Sequence, residues 1–524
     1  MMLRCTLCLL LMTSLLLMPA PRVVMGEEPD ANPPWRRYVR SCLDTLIEHG
    51  TDRYGEQHTP LLMAVLDVNS HESPEFPLPL DSLVRLEGRL HRRAERGSNF
   101  WYDQATLRAM YRMSELTDEA KYQQAADAYA DYALKHCRKP DDGKTVYRNG
   151  LPAWGSHIFW DCYLDQPGGD DEGSGPHEIL VYHPEWSELH RVNPQAVQQI
   201  IDGIWKWHIA DKKTGLHNRH DDGRPGCDFA FSGGTFVQAF AFMYGAAQEQ
   251  RYLDQAKTVA NWHWSQRHPE TGLVADAPGL TSRYDGQHCF TTVAGPHAAQ
   301  LLRASELSGD PFFRDCAIAY IKAYDQYAWD EAAQTYHAML KLDGTPVGDR
   351  PKGSGYDAWA PYGHIEIWRS TIFSYEFALS AAQAAVKAYQ ATEADGQAGD
   401  AELLAIARRW AGVIERNLPP SPGHRWRTEL EKAMPNVLNT GGVYAEDYGR
   451  SISFFVHMYQ ATGEEKYLEL AEQLGAEAVA KLYKNGLFRG HPAKPYYESV
   501  NGVGLLLFAL LELDAPEEQL QGAF

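Results

Sequence analysis

Four times along the chain a helix-compatible run ends in a short polar turn and restarts on an aromatic residue followed by small residues. The copies are Ser114-Glu115-Leu116-Thr117-Asp118 before Tyr122, Ala125, Ala126 and Ala130, and Ala247-Gln248 before Tyr252 and Ala256. Two more are Glu306-Leu307-Ser308-Gly309-Asp310 before Phe312, and Ala461-Thr462-Gly463 before Tyr467 and Ala471. So short a turn between two helices folds them back as an antiparallel hairpin. The anchors at 252 and 312 are 60 residues apart. A hairpin unit of roughly that length is expected, with other copies degenerate or carrying insertions.

Apolar residues within these units follow the 3.6-residue period, and strand-like alternation is rare and short. With 524 residues, 44% hydrophobic and 23% charged, the chain can bury a large core, which excludes collagen-like, coiled-coil and wholly disordered architectures. Stacked hairpins separated by Gly/Pro/Trp-rich loops predict an all-α fold: an α/α toroid (barrel) of about seven helical hairpins, with long loops and minor β elements. No Gly/Ser-rich or Pro-rich linker divides it, so residues 27–524 are expected to form a single domain. Irregular stretches at 138–193, 341–363 and 485–497 are the places to look for function.

Arg4, an apolar run from Leu7 to Met18, and small residues up to Gly26 predict a signal peptide over 1–26 and a periplasmic or secreted protein. The run is short for a membrane span. Six cysteines follow, at 42, 137, 162, 227, 289 and 316, without a C-x-x-C pair, so a cysteine zinc site is not supported and their pairing stays open. Lys plus Arg number 49 against 69 Asp plus Glu, a net charge of −20, with no basic run. That argues against nucleic acid as a partner. It also means that any anionic substrate must be attracted by a local cluster.

Histidine is plentiful, at 21 copies. Three loop segments combine it with carboxylates: Gly155-Ser156-His157, Pro176-His177-Glu178, and His217-Asn218-Arg219-His220. Two imidazoles and a carboxylate make a facial set for a first-row divalent ion, with positions left for substrate oxygens. Spacing alone leaves alternatives open. Glu178 could cap a helix or pair with His177, and Arg219 could pair with Asp221 or Asp222 on a surface loop. Trp154, Trp160 and Trp186 could stack on sugar faces or fill the core, and the acidic run Asp170-Asp171-Glu172 reads as a solvated loop.

Together, the Gly-x-His segment, the His-Glu segment 21 residues later and the Arg-His pair beyond it resemble polysaccharide lyase family 2, pectate lyases on an α/α barrel. His183-Pro184-Glu185-Trp186, Arg191-Val192-Asn193-Pro194 and Trp205-Lys206-Trp207-His208 share the likeness, which is specific over residues 150–222. A looser match lies in Gly486-Leu487-Phe488-Arg489-Gly490-His491-Pro492. The resemblance implies that His157, Glu178 and His220 bind a transition metal, Mn²⁺ first, with Co²⁺, Ni²⁺ or Zn²⁺ as alternatives. Ca²⁺ takes oxygen ligands and suits the imidazoles less. It implies Arg219 as Brønsted base in a β-elimination that cleaves polygalacturonate, pectate or oligogalacturonates and leaves 4,5-unsaturated ends.

Arginine is ordinarily always protonated, so this role demands a strong local perturbation and predicts an alkaline optimum. Arg489, Lys352 and Trp154 are candidates for substrate binding, Arg489 because a guanidinium can grip a carboxylate with two parallel hydrogen bonds. The rivals are a glycoside hydrolase, for which Glu366 and Asp447 are available carboxylates, a sugar epimerase on the same barrel, and a non-catalytic uronate-binding protein. Oligomeric state cannot be read.

Overall fold

The computed structural model describes residues 34–76, 94, 96–142, 144, 146–179, 184–348, 360–368, 377–393, 398–418 and 443–518. Two kinds of helix alternate along it. Some are apolar nearly all round, such as Ala230–Ala247, buried without a break from Ala230 to Met243, and Val503–Asp514. Others bury one stripe, as Ala401–Arg416 does with Leu403, Ile406, Ala407, Trp410 and Ile414. A helix apolar on every side must be surrounded by protein, whereas a striped one can face water. The pattern therefore sorts the helices into an inner and an outer layer.

In chain order the helices are α1 (Pro34–His49), α2 (Phe100–Thr117), α3 (Ala120–His136), α4 (Trp186–Val192), α5 (Pro194–Trp207), α6 (Ala230–Ala247) and α7 (Gln250–Trp264). They continue as α8 (Ala298–Ser308), α9 (Pro311–Ala328), α10 (Ala378–Gln390), α11 (Ala401–Arg416), α12 (Ala445–Thr462), α13 (Glu465–Leu482) and α14 (Val503–Asp514). Even-numbered helices are inner, and each packs on the outer helix that follows it; α14 takes α1 as its partner. The inner helices also pack on one another from α4 through to α14, and α14 returns onto α2. The result is an α/α toroid of seven hairpins among the described residues, as the sequence predicts, with the outer helix α3 bridging to α4 where the ring of inner helices meets its start.

The turn found in the sequence is the inner-to-outer connection. Asp118, Gln248, Gly309 and Gly463 each end an inner helix in the left-handed region, at φ of 55°, 55°, 71° and 67°. The next residue is extended and starts the outer helix. Tyr122, Tyr252 and Tyr467 then bury their rings. In α9 the buried ring is Phe313, not Phe312, because the helix phase turns its neighbour half outward.

Outer-to-inner connections are long, from α3 at His136 to α4 at Trp186 and from α9 at Ala328 to α10 at Ala378. Since successive helices are antiparallel, these long connections all gather at the end where the inner helices begin. Short strands sew them together. β1 (Val65–Asp67) pairs with β11 (Tyr496–Glu498), and β2 (Gly97–Ser98) with β3 (Ile158–Asp161), which also pairs with β4 (Gln166–Gly169). β5 (His288–Phe290) pairs with β8 (Met339–Lys341), β6 (Trp329–Asp330) with β7 (Thr335–Tyr336), and β9 (Tyr483–Lys484) with β10 (Leu487–Phe488). The signal segment lies outside the described residues. No helix among them is long and apolar enough to cross a membrane.

Candidate functional site

Two of the long connections carry the residues singled out by spacing. His157 and Glu178 lie between α3 and α4, and Arg219 and His220 between α5 and α6. The two connections join as antiparallel backbone: Glu178 bridges to His220, and the amide of Ile179 donates to the carbonyl of Arg219 at 3.1 Å. Glu178 is fully buried. Its Oε1 lies 2.9 Å from Arg219 Nε, 3.3 Å from His220 Nε2 and 3.8 Å from His157 Nε2. Burial alone would raise this carboxyl, but Arg219, with His220 and His157, outweighs it and holds Glu178 well below the usual carboxylate range.

Backbone geometry fixes this meeting point. Asn99 caps α2 and also grips Gly155, donating from Nδ2 to its carbonyl at 2.8 Å and accepting its amide at 3.3 Å. Gly155 sits at φ +114°, where a side chain would meet the Glu178 Cβ at 2.8 Å. The adjacent Ser156 amide donates to Glu178 Oε2 at 3.0 Å, which leaves Oε1 for the rings and the guanidinium.

Asp170 is the functional residue that sequence reasoning missed. Its Oδ2 lies 2.6 Å from His157 Nδ1 while the side chain stays 64% exposed, so the solvated loop expected from the sequence also reaches the site. The cause is register. β3 pairs Ile158 with Gly169, which sets His157 opposite Asp170, and the Asp170 amide donates to the His157 carbonyl at 2.8 Å. A carboxylate on Nδ1 keeps the proton there and turns the Nε2 lone pair toward Glu178, the usual arrangement behind a ligating histidine. The hairpin register, with its paired glycines, was the signal that could have found it.

The floor is also prepared. His177 Nδ1 lies 2.8 Å from His208 Nε2, and His208 Nδ1 lies 2.9 Å from the carbonyl of Asn218. Burial pushes His208 down to about 3 and His177 well below its ordinary value. Two neutral rings therefore tie the His-Glu segment to the Arg-His segment. Asp221 accepts from Lys139 at 2.5 Å, Asn149 at 2.7 Å and the His177 amide at 2.9 Å. Asp222 accepts from Asn218 and the Arg224 amide, both at 3.0 Å. Arg219 thus pairs with Glu178 and not with either aspartate, and its Cζ lies 5.2 Å from the centre of the Phe229 ring.

Could this set hold a divalent ion? His157, Glu178 and His220 each offer a donor atom, and those atoms lie within 4.8 Å of one another. Bonds of about 2.0–2.1 Å at tetrahedral angles put neighbouring ligand atoms about 3.3 Å apart, so the observed 3.3 and 3.8 Å need little adjustment. The donor chemistry and the Asp170 support both fit.

Three expected substrate contacts stand differently. Trp154 is fully buried, its ring 5.2 Å from His177 and 5.4 Å from Trp101, so it supports the site from below and cannot stack on a sugar. Trp160 and Trp186 are likewise buried. Arg489 donates from Nη1 to the carbonyl of Pro492 at 2.8 Å and from Nη2 to that of Lys481. Its parallel donors are engaged on backbone, so the expected grip on a sugar carboxylate is not available. Lys352 lies outside the described residues.

Residues 88–277 match the family described as periplasmic pectate lyase, and the likeness read over 150–222 falls within that span. A pectate disaccharide-lyase of Dickeya dadantii (strain 3937) is 28% identical over 276 residues. That match spans 46% of this chain and 45% of the relative, so the chain matches less than half the relative's length. Among solved structures, cellobiose 2-epimerase from Bacillus thermoamylovorans B4167 aligns with a TM-score of 0.44 at 11% identity, over 91% of this chain and 98% of that one. The GH76A α-1,6-mannanase from Salegentibacter sp. HEL1_6 aligns with a TM-score of 0.44 at 12% identity, over 92% of this chain and 100% of that one.

Proposed function

We propose that this chain is a periplasmic or secreted metal-dependent polysaccharide lyase that cleaves polygalacturonate, pectate or oligogalacturonates by β-elimination. The observation that carries the reading is the convergence of two imidazoles and one guanidinium on a single buried carboxylate oxygen, Glu178 Oε1. The likeness of residues 88–277 to periplasmic pectate lyases supports it. His157, Glu178 and His220 would hold a divalent transition metal, Mn²⁺ first and Co²⁺, Ni²⁺ or Zn²⁺ as alternatives. Such an ion supplies Lewis-acid neutralisation of the uronate carboxylate, which makes the weakly acidic C5 hydrogen removable.

The remaining work falls to the chain. Arg219 is the Brønsted base that takes the C5 proton of a galacturonate. The electron pair of that C–H bond becomes the C4–C5 double bond, the C4–O bond breaks, and the leaving oxygen takes a proton from solvent. Guanidinium makes a base only when its neutral form is favoured. Partial burial disfavours the charged form, while the Phe229 ring face and Glu178 both favour it, so the base role needs a bound dication beside Arg219 to tip it toward neutral. The shared Oε1 therefore couples the base to the ligand set. Asp170 orients His157, and the His177–His208 pair holds the Arg-His segment in place.

Paired variants test this division of labour. His157→Ala is expected to lose both bound metal and elimination activity, whereas Arg219→Ala keeps the metal and loses the activity. Elimination that survives in both variants would contradict the assignment.

A further inference from the structure

A second group of two imidazoles and one carboxylate stands on another connection, the one from α9 to α10. Asp330 ends β6, His337 follows β7, and His364 lies in the returning segment 360–368. His337 and His364 are antiparallel bridge partners. The amide of Ala338 donates to Gly363 at 2.8 Å and that of Ile365 to Tyr336 at 2.9 Å, which makes the returning segment a third strand beside the β6–β7 hairpin. Asp330 pairs with Thr335, so Asp330 and His337 are diagonal neighbours on one face. His364, directly opposite His337, shares that face.

The side chains meet there. Asp330 Oδ1 accepts the amides of Ala332 and Ala333, each at 3.0 Å, and this anchors the carboxylate. Its Oδ2 lies 3.0 Å from His364 Nε2 and 3.6 Å from His337 Nε2. The two rings stack with centroids 4.7 Å apart, tilted 27°. His337 Nδ1 is buried without a hydrogen-bond partner. Donor atoms from all three residues lie within 4.8 Å of one another. Around an ion with bonds of about 2.0–2.1 Å, neighbouring ligands sit about 3.3 Å apart, and 3.0 and 3.6 Å bracket that spacing.

We propose that Asp330, His337 and His364 form a second divalent-metal site of the zinc class, separate from the His157, Glu178 and His220 set. Two imidazoles and one carboxylate suit zinc and leave a fourth position for water. The three ligands come from three adjacent strands, so an ion would clip the β6–β7 hairpin to the returning segment 360–368. With three protein ligands and an open fourth position, the ion would fasten these strands less tightly than a closed four-ligand site does. The rings are part-exposed, so the ion exchanges with solvent and its stabilising effect follows free metal concentration.

The test uses untagged full-length protein, stripped with chelator and loaded with Zn²⁺, reading ions per chain and the thermal midpoint. Wild type is expected to hold about two ions, and His364→Ala, Asp330→Asn and His157→Ala about one each. Zn²⁺ should raise the midpoint of His157→Ala, and that rise should disappear when His364→Ala is added. His364 is exposed enough to truncate without disturbing the core, and Asp330→Asn keeps the oxygen that binds the two amides. Full metal content in both His364→Ala and Asp330→Asn would overturn the proposal, as would a wild type whose single ion is lost in His157→Ala. Elimination activity enters neither readout, so failure here is distinct from failure of the lyase reading.

Discussion

Glu178 Oε1 faces Arg219, His220 and His157 at once, so the site depends on what keeps that oxygen and the two rings aimed. Asp170 is the most testable of these supports. Asp170→Asn should weaken metal affinity by about 10–100-fold, read by competition with a chromogenic chelator, and leave the fold intact. Unchanged affinity would show that the 2.6 Å contact with His157 is incidental. At this scale the sequence was informative where chemistry is local. Residue type and spacing bring His157, Glu178 and His220 to notice, and the family resemblance is what singles out the set together with Arg219. The sequence was misleading where burial decides. Nothing in Trp154 or Arg489 as letters says that the indole lies beneath the site, or that the guanidinium is engaged by two carbonyls.

The hairpin turns are where sequence and structure agree most closely, since the same left-handed residue followed by an extended one recurs at 118, 248, 309 and 463. Gly463 has nothing within 4 Å of where a side chain would stand, so only its φ of 67° matters. Gly463→Ala should therefore cost about 1 kcal/mol in denaturant unfolding, the penalty of a left-handed L residue. A neutral result would mean that the turn relaxes out of that conformation. Other hairpins lack the signature for visible reasons. Between α4 and α5 a single residue, Asn193, serves as the turn and caps the next helix ahead of Pro194. Between α10 and α11 the connection runs over residues 391–400, too long to leave the pattern. Phe312 was one position off because two phenylalanines stand side by side there, and the buried ring in every copy, Phe313 included, comes four residues after the left-handed residue.

Across the whole molecule, the ring gathers every long connection at the end where the inner helices begin. Their positive dipole ends face that rim, which gives an acidic chain of net charge −20 a locally favourable approach for anions. The ring also contains several neutral buried histidines. Burial pushes His208, His297 and His491 down to about 3. In the unfolded chain they take up protons below about pH 6.5, so stability should fall as pH drops, by up to ~1.4 kcal/mol per pH unit for each. Asp103, which burial raises to about 6, and Asp276, which burial also raises well above the usual carboxylate range, act in the opposite direction and offset part of the loss. Denaturant unfolding should therefore show lower stability at pH 5 than at pH 7; a flat or rising profile would contradict the neutral-histidine core.

Ring closure was only partly legible. The periodicity gave the hairpins, but the packing of α14 on α2 and of α1 on α14 joins opposite ends of the chain. Contacts at that separation leave no mark in a local pattern.

The central claim is metal-dependent β-elimination at the Glu178 site, and product absorbance tests it most directly. Purified protein is incubated with polygalacturonate while ultraviolet absorbance of the 4,5-unsaturated end is followed, first with chelator and then with Mn²⁺ added back. Absorbance that stays flat in chelator and rises on adding Mn²⁺ is the predicted result. New reducing ends without absorbance, or absorbance indifferent to the chelator, would contradict it.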